Sequence, residues 1–306
     1  MHLKNRQSSL ADRIGELKKQ RNAIILAHNY QIGEVQDITD YVGDSLGLSQ
    51  KAAGSDADVI VFCGVNFMAE TASILCPDKT VLMPDVRAEC PMANMITIEA
   101  LRALRSKHPE ATVVCYVNTT AEVKAESDIY CTSSNAVKIV ESIRGSEVIF
   151  VPDKYLAHYV STKTEKKIIP WNGFCPTHVK ILPEHILKQK ELHPEAEVMV
   201  HPECTPSVIG LADEVLSTGG MCRYAQESEA REMIVGTEVG ILHRLRKENP
   251  GKSFYPASGS AVCPNMKLTT LEKVLWSLQD MKHEIRVPQD IRIKARKSVD
   301  RMLGTA

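Results

Sequence analysis

"AIILAHNY" (residues 23–30), "TVVCYVNT" (112–119) and "EVMVHPEC" (197–204) lie over one another in a single register. Each is a short apolar run of the kind that forms a buried strand. Each reaches a polar group at one equivalent place, His28, Tyr116 and His201, with Tyr30, Asn118 and Glu203 two residues later. An aspartate follows twelve residues past the first of these places in every copy (Asp40, Asp128, Asp213), and Ser45, Ser133 and Thr218 follow five residues after that. The agreement in spacing marks an internal repeat rather than three unrelated strands.

Working outward, a further strand and helix follow in each copy, as "DVIVFCGVNFMAETAS", "EVIFVPDKYLAHYV" and "EMIVGTEVGILHRL". A shorter strand comes next, "KTVLMP", "KKIIPW" or "KSFYPA", and leads to a Cys-Pro pair at Cys90, Cys175 or Cys263. A glutamate stands nine residues beyond each of these cysteines, Glu99, Glu184 and Glu272, in a stretch of helical periodicity for which Thr97 and Thr270 are the expected caps. Cys76 also precedes a proline but has Asp85 at that offset, so it falls outside the repeat. Strands alternating with helices predict an α/β protein of three similar αβα units, each about 85 residues long with a small parallel sheet, arranged around a pseudo-threefold axis. The expected domains are 1–88 together with 264–306, 89–173, and 174–263; the segment after Cys263 is left over by the repeat and is expected to return to the first unit.

Composition narrows the function. Net charge is −1 with lysines and arginines scattered along the chain, so neither a nucleic acid nor a membrane surface is expected as partner. The opening segment reads as an amphipathic helix rather than a signal peptide, and no apolar run approaches the roughly 18 residues of a membrane span. Nine cysteines without a CxxC, in a chain expected to be cytoplasmic, favour reduced thiols over a disulfide scaffold.

A lone cysteine is usually a small buried hydrophobe. Three cysteines at equivalent loops form a ligand set instead, suited to zinc or an iron–sulfur cluster, with one coordination position left open by the protein. In parallel sheets functional groups gather beyond the carboxyl ends of the strands, where His28, Tyr116 and His201 are expected, and His178 stands three residues after Cys175. The hydroxyl- and glycine-rich segments at Ser45, Ser133 and Thr218 suit carboxylate or phosphate, while histidine and glutamate suit proton transfer. A small anionic substrate follows.

"AHNYQ" (27–31), "GDSL" (43–46), "YVNT" (116–119), "CTSSN" (131–135), "GFCPTH" (173–178), "HPEC" (201–204), "STGGM" (217–221) and the last "CPNM" (263–266) together resemble the quinolinate synthase family of de novo NAD synthesis. The resemblance covers almost the whole chain. It implies a 4Fe-4S cluster held by Cys90, Cys175 and Cys263, and condensation of iminoaspartate with dihydroxyacetone phosphate to quinolinate, phosphate and water, a transferase reaction. Matched motif by motif, it implies a substrate-lining set of His28, Tyr30, Ser45, Tyr116, Asn118, Ser133, His178, His201, Glu203, Ser217 and Thr218. Tyr30 and Glu203 are the expected proton-transfer pair, and His28 and His201 orient or donate to substrate oxygens. A transient contact with an aspartate oxidase or dehydrogenase that supplies the labile imine is also implied. Some members carry a CxxCxxC run ending at the last ligand; here Ala257 and Ser260 replace its first two cysteines, so no redox disulfide is expected there. The residues alone leave open a different 4Fe-4S hydro-lyase acting on a hydroxy acid, an iron–sulfur sensor, and a zinc hydrolase.

Overall fold

β-branched residues crowd the short apolar runs, and such side chains pack well on a pleated surface covered on both faces. A computed structural model describes residues 2–305, with side-chain detail from Ser9 onward. Its strands are β1 (Ala23–His28), β2 (Tyr41–Gly43), β3 (Val59–Cys63), β4 (Thr80–Leu82), β5 (Thr112–Tyr116), β6 (Ile129–Cys131), β7 (Glu147–Val151), β8 (Lys167–Pro170), β9 (Glu197–Val200), β10 (Glu214–Val215), β11 (Glu232–Gly236) and β12 (Ser253–Pro256). They form three four-stranded sheets of identical order, β2-β1-β3-β4, β6-β5-β7-β8 and β10-β9-β11-β12, with every pairing parallel. The expected α/β class and the three similar units with small parallel sheets are thus observed.

The chain divides into two compact units, Met1–Cys90 with Cys263–Pro288, and Pro91–Val262 with Gln289–Ala306. In the first, Ile25, Ala27, Val59 and Val61 of the sheet are buried against Val274 and Leu278 of the helix Leu271–Asp280, which also packs on the helix His2–Gln20. In the second, Val113 and Ile149 lie in one core with Leu101 of the helix Ile98–Lys107, and Val198 and Ile234 lie in another with Ile186 of the helix Pro183–Leu192. The helix that follows each cysteine therefore covers a sheet.

The segment after Cys263 does not return as a whole to the first sheet, as the sequence suggested. Leu271–Asp280 does, but Gln289–Leu303 packs on the helix Ala121–Ala125 and on β6. The reason is its apolar stripe: Ala295, Val299 and Met302 are fully buried there, Ser298 Oγ donates to the Lys124 carbonyl at 3.1 Å, and Arg301 donates to the Asp128 carbonyl at 2.7 Å.

The three repeat aspartates share one structural task. Asp40, Asp128 and Asp213 each donate their amide to a carbonyl of the first strand (Ile25, Val113, Val198), and each accepts that same residue's amide on Oδ2, at 2.8, 2.9 and 2.7 Å. This reciprocal pair fixes where the second strand starts. Thr97 and Thr270 cap their helices as expected, accepting from the amides of Ala100 and Lys273. No described helix is long and apolar enough to cross a membrane.

Candidate active site

Every Cys-Pro pair of the repeat leads into a short 3-10 turn: Pro91–Met95, His178–Lys180 and Asn265–Lys267. Proline suits this place because its fixed φ is already helical and the first turn leaves its missing N–H unneeded. Two residues before each cysteine, the chain is tied to the helix start after the third strand. Asn66 donates to the Ala88 carbonyl, Lys154 to Gly173 and Val239 to Ala261, at 2.9, 2.9 and 3.0 Å. Cys76 lies elsewhere, buried where the helix Asn66–Leu75 ends.

Of the nine thiols only Cys90, Cys175 and Cys263 escape full burial. Burial pushes the thiols of Cys63, Cys115, Cys131 and Cys204 up, away from the thiolate form. The ligand atoms of Cys175, His178 and Glu203 lie within 4.8 Å of one another. Partly exposed thiols in three equally tethered loops fit the soft-donor set that an iron–sulfur cluster requires.

In the first unit, His28, the last residue of β1, and Tyr30, two residues on, are buried ring edge to ring face, with centroids 4.5 Å apart. The Tyr30 amide donates to His28 Nδ1 at 3.2 Å, which leaves Nε2 as the ring's donor. Lys267 donates to the Tyr30 carbonyl, and Asn265, two residues after Cys263, donates to the carbonyl of Glu89 just before Cys90. Ser45 opens the helix Ser45–Ala53, which Asp44 caps through the Gly47 amide at 2.8 Å.

The second unit holds a denser cluster. Tyr116, at the end of β5, donates its hydroxyl to Glu203 Oε1 at 2.5 Å. His178 Nδ1 lies 2.8 Å from Glu203 Oε2, and its Nε2 shares a 2.8 Å hydrogen bond with the Thr237 hydroxyl. The His201 ring stacks on His178 with centroids 4.6 Å apart, takes the Glu203 amide on Nδ1 at 3.3 Å and meets Ser133 Oγ through Nε2 at 3.3 Å. His28 and His201 are thus oriented alike, each by the amide two residues on.

Glu203 is 3% exposed. Burial pushes its carboxyl up, but the charges of His178 and His201 and the hydrogen bonds from His178 and Tyr116 outweigh that and hold it well below the usual carboxylate range. Asp153, wholly buried, goes the other way: burial first and the charge of Glu203 second raise it well above that range. Of these neighbouring acids, Glu203 is held toward its charged form and Asp153 is pushed away from it.

Other expected residues fall into place less tightly. Ser217 caps the helix Thr218–Glu227 through the Gly220 amide at 3.1 Å, with Thr218 as its first residue, so hydroxyls meet helix N-terminal amides as expected. Ser133 differs, since a turn held by Asn135 Oδ1 on the Thr132 amide at 2.7 Å delays the helix to Ala136–Ser142. Asn118 is half-buried after β5. Ser133, Ser134, Ser217, Tyr159, Lys163 and Arg223 help line a cleft of about 490 Å³ that contains no carboxylate.

Sequence reading overlooked Thr237 and Asp153. The registers β1 on β3, β5 on β7 and β9 on β11 make Gly64, Pro152 and Thr237 equivalent, and likewise Val65, Asp153 and Glu238. The signal was present in the third-strand segments, where two of the three copies carry an acid at one place.

The sequence profile of the family described as Quinolinate synthetase A protein matches residues 12–304. Similar curated proteins include the quinolinate synthase of Dehalococcoides mccartyi, 60% identical over 294 residues, covering 96% of this chain and 97% of that one. Those of Methanosarcina barkeri (58% identical; 97% and 98% covered) and Thermodesulfovibrio yellowstonii (59%; 94% and 95%) are comparably similar. With the family profile matched over residues 12–304 and relatives 58–60% identical over nearly the full length of both chains, the chain belongs to the quinolinate synthetase A (NadA) family.

Proposed function

We propose that this enzyme condenses iminoaspartate with dihydroxyacetone phosphate, giving quinolinate, phosphate and water for NAD biosynthesis, as a transferase. The observation that carries the reading is the convergence of Cys175, His178 and Glu203, with Tyr116 and His201 bonded into the same group. Family membership supports the substrates.

Cys90, Cys175 and Cys263 are the residues that would hold a 4Fe-4S cluster, which when bound supplies a Lewis acid at the iron no cysteine ligates. The remaining work belongs to the chain. Ser217 and Thr218, with the helix amides behind them, and the hydroxyl of Ser133 hold carboxylate and phosphate oxygens; Ser45 does so in the first repeat, and Asn118 orients the same groups. Forming the ring requires protons to leave carbon and reach departing oxygens. Glu203, charged at neutral pH, accepts and returns such protons, while its bonds to Tyr116 and His178 keep two donors aimed beside it. Tyr30 is the partner acid or base in the first repeat, and His28 and His201 present Nε2 to substrate oxygens. Domains 89–173 and 174–263, with the first repeat, remain our division of the chain, amended by the placement of Gln289–Leu303.

The test is direct. Anaerobically purified protein given both substrates should release quinolinate and phosphate in equal amounts; phosphate-independent dehydration of a hydroxy acid would instead select the hydro-lyase. A single metal on Cys175, His178 and Glu203 is the second reading, favoured by their proximity, and zinc in place of iron and sulfide in purified protein would select it. The labile imine also calls for a supplying aspartate oxidase or dehydrogenase in transient contact. Coupled assays should then outpace free imine at equal flux, and equal rates would remove that contact.

A further inference from the structure

The junction between β7 and the helix Lys154–Ser161 carries more than the fold asks of it. Asp153 Oδ1 accepts the amides of Tyr155 and Leu156, both at 2.8 Å, and so caps that helix. Across from it runs the loop that leads to Cys175. Gly173 donates its amide to the Pro152 carbonyl at 3.0 Å and accepts from Lys154 at 2.9 Å, and a Cβ at Gly173 would stand 2.4 Å from the Pro152 oxygen. Only glycine lets the two strands of chain approach so closely. Asp153 and Gly173 thereby form a parallel bridge two residues before Cys175, and the Cys175 amide and Glu203 both lie near enough to act on the Asp153 carboxyl.

The first repeat shows what the junction needs for folding alone. Val65 occupies the equivalent place, its helix Asn66–Leu75 has no side-chain cap, and the rung from Asn66 to Ala88 still forms at 2.9 Å. A wholly buried carboxyl whose Oδ2 makes no close hydrogen bond is costly to keep where valine suffices. The fold therefore does not explain the acid; its place against the cysteine loop does. The third repeat keeps an acid at this place too, Glu238, fully buried and accepting the Gly240 amide at 2.7 Å.

We propose that Asp153 is a positioning residue for Cys175: its carboxyl clamps the cysteine loop to the helix Lys154–Ser161 and sets the direction of the thiol beside His178 and Glu203. This rests on the reading of Cys175 as a cluster ligand. Loss of such outer partners typically lowers metal affinity or activity 10- to 100-fold.

The experiment compares wild type with Asp153→Val, for which the first repeat supplies a folded precedent, and Asp153→Asn, which keeps one acceptor oxygen. On the anaerobic full-length protein, iron release to a chelator, the reduction potential and the spectrum of the reduced cluster are measured beside far-UV circular dichroism. Asp153→Val is expected to stay folded, to release iron 10- to 100-fold faster and to shift potential and spectrum, with Asp153→Asn in between. Wild-type release, potential and spectrum in Asp153→Val would overturn the proposal. A second arm needs no cluster: on chain stripped of metal, alkylation of Cys175 read by mass spectrometry should change rate in Asp153→Val while Cys90 and Cys263 keep theirs. Should Cys175→Ser leave iron and sulfide in place, the ligand reading itself fails, and the alkylation arm still decides whether Asp153 positions the thiol. An unchanged Cys175 rate there would also overturn the proposal.

Discussion

A carboxylate with almost no access to water keeps its charge only if its neighbours compensate for the lost solvation, and around Glu203 they are Tyr116, His178 and His201. Removing that charge alone is the sharpest test of its role. Glu203→Gln preserves shape and most hydrogen bonds, so the protein should fold and keep its iron while quinolinate formation slows by roughly 10²- to 10⁴-fold. Steady-state turnover beside iron content checks this, and a near-normal rate with iron retained would refute the assigned role. At this scale the sequence was partly legible. The register of the first strands marked His28, Tyr116, His201 and Glu203 because equivalent positions in a repeat must occupy equivalent places on a sheet. Thr237 and Asp153 escaped because each acts through a partner far away in the chain, His178 in one case and the Cys175 loop in the other, and spacing carries no record of such pairings.

Among the elements, the aspartate staples join sequence spacing to stability most directly. Asp213 exchanges two hydrogen bonds with Val198, one through its carboxylate to a strand amide. Asp213→Ala should lower stability by about 1–2 kcal/mol, read as a shift of the urea midpoint, with Asp213→Asn affected less because an amide oxygen still accepts. The loop before Cys90 is fastened differently. Asp85 takes a two-pronged bond from Arg87 and a 2.6 Å bond from Lys273 on the helix Leu271–Asp280. The Arg87 bond above all, aided by Lys273 against the cost of burial, holds the Asp85 carboxyl well below its usual range. A lowered folded pKa means that its stabilisation is complete above the ordinary carboxylate value and fades as pH falls below it toward the lowered one. The urea midpoints of wild type and Asp85→Asn should differ by a constant amount from pH 7 to pH 5 and draw together below about pH 4; a gap that widens in acid would contradict the assignment. Helix starts at Thr97 and Thr270 were legible because threonine before an apolar-periodic run has one local use. The delayed start after Ser133 was not, since it depends on Asn135 competing for the Thr132 amide.

For the molecule as a whole, the three sheets of one strand order follow from a repeat written in strand spacing, whereas the final helix follows from nothing periodic. Gln289–Leu303 chose its sheet by fitting an apolar stripe and two polar contacts to β6 and its neighbouring helix, a matter of complementary surfaces that no single segment encodes. The same contrast separates metal from fold. The sheet cores are mainly aliphatic, and the cysteines they include are Cys63, Cys115 and Cys204, not the three in the Cys-Pro loops. Removing iron with a chelator should therefore leave the far-UV circular dichroism essentially intact, unlike a small zinc domain whose metal is its core. The single replacements Cys90→Ser, Cys175→Ser and Cys263→Ser should each abolish iron, acid-labile sulfide and activity without unfolding the chain, because each removes one ligand from a loop already tied by its own rung. Cys76→Ser, buried at a helix end outside the repeat, should keep the metal, at the cost of a modest shift in stability. If iron survives any one of the first three changes, that cysteine is no ligand. Its tethered loop would then be a relic of the repeat, and the open-iron chemistry would have to be rebuilt on the remaining donors, beginning with His178 and Glu203.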